Sequence, residues 1–223
     1  MMPMSFSFFR IACLALVVST LRGVEPLDLP KGVEPNPAHP EADERLSANR
    51  KFFKAKRVAQ ADYRARLADI LQHANRVELL LLDFELAADP DKLSEAERFE
   101  VTPYKSATRI LRRVSAKPDI TKLAIHHFQR LLRTREDYEG GPMCHMPIHG
   151  VRFFKNDDLL FETSLCWTCS NYFVAYPDDY ETASWVGLSD AELKQFMLKQ
   201  VPIPQIEIER FEKAFPPAKE SKP

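Results

Sequence analysis

The sequence predicts an α+β fold, with one mostly antiparallel sheet of about five strands and helices over one face. Three observations carry this. Apolar residues recur at helical spacing in residues 63–74 and 118–133. Short apolar or alternating runs, bounded by Asn, Asp and Pro, lie around them. The segments follow in the order helix, strand, strand, helix, three strands, helix, a mixture that suits a sheet with helices packed on it.

The 223 residues suffice for one domain with a sizeable core, and 45% hydrophobic with 28% charged residues is an ordinary globular balance. The 17 prolines cluster towards both ends, which predicts irregular termini around an ordered middle. Formal net charge is −1, so no strong field draws nucleic acid, and no nucleic-acid partner is expected. Two basic runs, residues 50–66 and 109–117, are interrupted by acids or apolar residues and read as solvated faces.

Taking the elements in order, residues 1–10 carry one positive charge, residues 11–18 are an uninterrupted apolar run, and Ser19 and Thr20 are small and polar. That is the layout of a secretory signal peptide, assigned to residues 1–23. The run is too short to span a bilayer, so no transmembrane segment is expected in the mature chain. The expected location is periplasmic or extracellular. Cys13 lacks a lipidation setting, because Arg10 stands three residues before it. Residues 24–40 hold Pro26, Pro30, Pro35, Pro37 and Pro40, a spacing that blocks helix and sheet and predicts an extended linker.

Residues 41–75 form an N-terminal helical segment. Its second half is amphipathic through Tyr63, Leu67, Ile70, Leu71 and Ala74, and Asn75 is a stop signal. Residues 76–204 form the α+β domain. Residues 77–84 read VELLLLDF, short enough for a buried strand, and residues 93–100 read as a surface turn or loop. Residues 107–114 are a second strand. Pro118 opens a helix over residues 118–133, with Ile120, Leu123, Ala124, His127, Phe128, Leu131 and Leu132 in one stripe. Gly140, Gly141 and Pro142 punctuate the chain. Residues 151–155 and 159–165, joined at Asn156 and Asp157, predict a β-hairpin, and residues 172–176 a further strand. Residues 188–198 carry helix-start signals, with Ser189 as N-cap, Glu192 closing a capping box and Leu188 stapled to Leu193. Residues 205–223 are an amphipathic piece and a frayed tail.

The concentration of reactive side chains is Cys144-His145-Met146-Pro147-Ile148-His149-Gly150 followed by Cys166-Trp167-Thr168-Cys169. The C-x-x-C pair ends a predicted strand rather than opening a helix, which argues against a thioredoxin-like thiol. Three readings stand. In an exported chain, a disulfide from Cys144 to Cys166 or Cys169 would close a loop and add about 3 kcal/mol. A zinc site would use Cys144, His149, Cys166 and Cys169, the right number and type of ligands. A hydrolase or redox enzyme would use the same cluster. No Gly-rich phosphate loop or nucleophile setting is present.

The stretch resembles a pattern in uncharacterised bacterial proteins that often carry export signals: Cys, then Pro-x-His-Gly, a strand, a polar turn, a second strand, and Cys-aromatic-x-Cys. Here these are Cys144, Pro147, His149, Gly150 and Cys166-Trp167-Thr168-Cys169. Ile148 stands where that pattern commonly has an arginine, which removes one charged site residue. The resemblance implies one domain and a structural role for Cys144, Cys166, Cys169, His149 and Gly150. It implies no activity, catalytic residue, metal or cofactor. The leading expectation is an exported, non-catalytic structural or binding domain.

Overall fold

The computed structural model describes residues 42–101, 106–134, 145–176 and 185–216, with side chains from Asn49 onward. The expected signal peptide and linker, the Gly140-Gly141-Pro142 triplet and Cys144 lie outside the described residues. The fold is α+β, built on a curled antiparallel sheet of seven strands with four helices.

Helix α1 (Ala42–Leu71) buries Tyr63, Leu67 and Leu71 of the expected stripe, leaves Ile70 and Ala74 half-buried, and buries Ala68 beside them. Arg64, expected off that stripe, is buried too, and its guanidinium donates to the Tyr176 hydroxyl at 2.8 Å. Asn75 does more than follow the helix. Its side chain accepts from Asn156 N and donates to Asn156 Oδ1, both at 2.8 Å, and so clamps the turn of a hairpin 81 residues away.

Strand β1 (Arg76–Leu86) is the run of leucines, and it lies inside the sheet. With β2 (Arg98–Val101), β3 (Ser106–Ser115), β4 (His149–Lys155), β5 (Asp158–Cys166), β6 (Asn171–Phe173) and β7 (Trp185–Gly187), the spatial order is β2-β3-β1-β4-β5-β6-β7. Every neighbouring pair is antiparallel. A central strand is buried on both faces, which is why β1 reads as a continuous apolar run instead of an alternating one. The β4–β5 hairpin closes through Asn156 at φ 57°, a left-handed conformation that Asn tolerates.

Val77, Leu79 and Leu81 point to the main core, where α1, α2 (Pro118–Arg133) and α3 (Ala191–Gln200) bring Leu67, Phe128 and Met197. Leu80 and Leu82 point the other way, into a second cluster with Phe99 and Val101. Phe99 belongs to β2, two strands removed from β1, so the sheet must curl until its first strand lies over its own face. Arg152 of β4 confirms the approach: it donates to Arg98 O at 3.2 Å and sits 5.2 Å from the centre of the Phe99 ring. Helix α4 (Gln205–Ala214) covers the end of β1, with Phe211 and Phe215 against Phe84 and Arg210 paired with Asp83.

Five expectations are corrected. The sheet has seven strands, not about five. Residues 98–101 form β2 where a loop was expected, because a four-residue alternation of Arg98, Phe99, Glu100 and Val101 is too short to stand out. Helices do not do all the covering, since the curl lets the sheet cover part of itself. The N-cap of α3 is Asp190, not Ser189: its carboxylate accepts from Leu193 N at 2.9 Å. In α2 the expected Leu123 is 48% exposed, while Thr121 is buried in its place.

Candidate functional site

Antiparallel pairing of β4 and β5 sets His149 opposite Leu165 and Gly150 opposite Ser164. Alternation then sends His149 and Leu165 to the main core, and Gly150, Ser164 and Cys166 to the other face. The residues proposed to share one site are therefore divided by the sheet: His149 lies on one side and Cys166 on the other.

His149 is wholly buried. Its Nδ1 accepts from the Trp167 indole N–H at 2.7 Å, and its Nε2 donates to Val201 O at 2.8 Å. An indole only donates and a carbonyl only accepts, so these partners select one tautomer, neutral with hydrogen on Nε2. Val201 follows the last turn of α3, so the imidazole ties that helix end to the centre of the sheet. Burial pushes the His149 pKa down to about 4, against a smaller opposing effect of the Val201 bond.

On the other face the chain brings in His145, which stood in the sequence cluster without being singled out. Its Nδ1 donates to Asn171 Oδ1 at 2.7 Å, and its Nε2 accepts from Ser164 Oγ at 2.7 Å. Trp185 stacks on the ring with centroids 4.3 Å apart. Burial again holds the imidazole neutral, with its pKa down to about 4. No spacing rule links positions 145, 164, 171 and 185. The sheet register alone assembles them, so their polar side chains gave no signal beyond the presence of His145 beside Cys144.

Asn, His and Ser in this order have the connectivity of an acyl-transfer relay, with the base in the right tautomer. The hydroxyl that would attack is 1% exposed and Asn171 is wholly buried. In this conformation the relay is a satisfied buried polar network, which specifies strand register rather than presenting a nucleophile.

The expected disulfide involves Cys169, which is disulfide-bonded. The alternative at Cys166 is corrected: Cys166 keeps a free, buried thiol. Burial pushes its pKa up, while main-chain N–H groups of Cys169 (3.2 Å), Met146 and Thr168 aimed at Sγ act in the opposite sense. A neutral, buried thiol is chemically inert. Among the described residues no group of three or more His, Cys, Asp and Glu side chains is placed to hold a metal ion. Both ring nitrogens of His149 are engaged, so it has no lone pair to give a metal.

Gly150, expected to be structural, has a specific reason to be glycine. A Cβ there would stand 3.0 Å from Phe99 Cε2 and 3.1 Å from Leu82 Cδ1. The curl that encloses the second cluster needs this close approach. Away from these residues, a groove of about 240 Å³ lies beside Ala61, Asp62, Ala65, Leu132, Arg133 and Thr134. Its arginine is already paired with Asp69 at 2.6 Å. No helix among the described residues is long and apolar enough to cross a membrane. Comparison with protein-family models, with curated proteins and with solved structures finds no match to this chain, so its function is argued from its own residues.

Proposed function

We propose that this chain is an exported, non-catalytic domain with a structural or binding role. The observation that carries the reading is the saturation of its reactive groups. Both nitrogens of His145 and both of His149 are occupied by neutral protein partners. Groups arranged for chemistry keep a lone pair or proton for the substrate. Here the imidazoles tie strands β4, β5 and β6 to the end of α3. The test is covalent labelling of the folded protein at pH 7 with a fluorophosphonate and, separately, with iodoacetamide, followed by peptide mass mapping. Neither Ser164 nor Cys166 should be modified until denaturant is added. Modification of Ser164 in the folded protein would establish a hydrolase in place of this reading.

A zinc-stabilised module is the second reading, favoured by one feature. Main-chain N–H groups of Thr168 and Cys169, in its own C-x-x-C turn, and of Met146 converge on Cys166 Sγ, the kind of support that thiolates receive when they ligate a metal. Neither His149 nor the disulfide-bonded Cys169 has a place in such a ligand set, which would have to be completed by other residues. Elemental analysis of protein purified without added metal separates the readings: near-stoichiometric zinc, with unfolding on chelation, would favour the module.

A further inference from the structure

The first half of α1 meets the core only at its edge, where half-buried Ala59 packs on it. From residue 49 to residue 62 not one side chain is buried, whereas burial begins at Tyr63 and continues to the helix end. A helix half that buries no side chain fully has little packing to account for its composition. That composition is one-sided: Arg50, Lys51, Lys54, Lys56 and Arg57 lie within eight residues, and no acid falls between Asn49 and Ala61. The chain as a whole has a formal charge of −1, so this is a local field and not a general property.

Helical geometry arranges the patch. At 3.6 residues per turn, Arg50, Lys54 and Arg57 share one side of the helix, with Lys51 at its margin. Phe53 borders this side along one edge and Val58 along the other. Both are exposed, at 50% and 57%. Arg50, Lys51 and Lys54 are exposed as well. Cations in a band with apolar side chains at its borders match the headgroup layer of an anionic bilayer, where phosphates meet the charges and the apolar groups reach the acyl boundary. A nucleic acid would satisfy the charges and leave Phe53 and Val58 unexplained.

We propose that the N-terminal half of α1 docks on an anionic phospholipid surface through Arg50, Lys51, Lys54, Phe53 and Val58, lying in the interface without crossing it. This is independent of whether the domain is catalytic.

The experiment is vesicle co-sedimentation of the full chain. Phosphatidylcholine vesicles with and without about a third phosphatidylglycerol are compared at low and high salt, in the Debye-screened range. Wild type should bind more strongly to the anionic vesicles, and that excess should disappear in high salt. The triple variant Arg50→Glu, Lys51→Glu, Lys54→Glu should lose it, with partitioning down by about a hundredfold, roughly what three cations contribute at such a surface. The control Lys194→Glu, Lys199→Glu, on exposed positions of α3, should bind like wild type. Phe53→Ser should weaken binding and leave its salt dependence intact. None of these side chains is buried, so the variants should fold, which circular dichroism checks. Equal binding of wild type and triple variant to anionic vesicles would overturn the proposal. So would capture of a single-stranded oligonucleotide by wild type with no preference for the anionic vesicles.

Discussion

His149 links three parts of the chain through two hydrogen bonds, one from the Trp167 indole N–H and one to the Val201 carbonyl. Replacing it with Phe keeps the ring but leaves the Trp167 N–H and the Val201 carbonyl unanswered in the interior. The expected cost is about 2–4 kcal/mol at pH 7, measured by urea unfolding. The pH dependence follows from the direction of the shift. The folded pKa is about 4, below the ordinary 6.5, so the unfolded chain takes up the proton first as pH falls. The contribution is therefore complete above about pH 6.5 and declines as pH drops towards 4, with about 2 kcal/mol gone by pH 5. His145 acts in the same window and the same direction. His149→Phe should flatten the slope of stability between pH 7 and pH 5; an unchanged slope would place the titration elsewhere. At Gly150 the constraint is steric. Gly150→Ala should destabilise by about 1–2 kcal/mol, because Phe99 and Leu82 crowd the new methyl from two sides. Phe99→Leu in the same chain should recover part of the loss, and additive costs would show that the two positions do not meet.

Helix α3 illustrates how a local signal can be right in kind and displaced by one position. Ser189 and Asp190 are both good caps by type, and the choice between them is made by α2. Arg130 holds the Asp190 carboxylate at 2.7 Å and Glu192 at 2.5 Å, so the cap is also an interhelical anchor. Burial, the largest single effect, would raise the Asp190 pKa, but the Arg130 bond, the Leu193 N–H and the nearby positive charge together outweigh it and the net shift is down. Asp190→Ala should cost about 1–2 kcal/mol in thermal or urea unfolding, whereas Ser189→Ala should cost clearly less. Helix α1 divides into two halves. Hydrogen exchange should be fast across residues 49–60 and strongly protected across residues 63–71, since only the latter is backed by buried contacts. Uniform protection along α1 would mean that its first half is covered by something.

The curled sheet joins two apolar clusters of unequal size. The larger is enclosed by three helices, the smaller by the sheet's own first strand. Glu78, on the same face as the smaller cluster, is 5% exposed and is paired with Arg76 at 2.8 Å and Arg113 at 3.0 Å, so the charge is matched from its own strand and from β3. Leu82→Ala would open a cavity between Phe99 and Gly150 and should cost about 2–4 kcal/mol in urea unfolding. Gly150→Ala in that background should be nearly neutral, because the removed side chain leaves room for the methyl. A full Gly150 penalty in the double variant would assign the crowding to Phe99 alone.

Elements whose stabilisation is periodic along the chain were legible in the sequence. Pro118–Arg133, the hairpin across Asn156, the leucine strand and the second half of α1 all announce themselves, because burial of one face leaves a spacing that can be read. At position 150 the close approach that calls for glycine was not legible, because Phe99 and Leu82 reach it from other strands. What depends on partners distant in the chain was not legible. Strand β2 owes its place to β3 and to Phe99 reaching Gly150. Asp190 prevails over Ser189 because of Arg130. Cys144, His149, Cys166 and Cys169 looked like one site because they are close in sequence, yet β4 and β5 place His149 and Cys166 on opposite faces, while His145, Ser164 and Asn171 converge from three separate segments. Neighbourhood along a strand alternates between two faces, so proximity in sequence does not establish a shared site; only the pairing register decides which side chains meet.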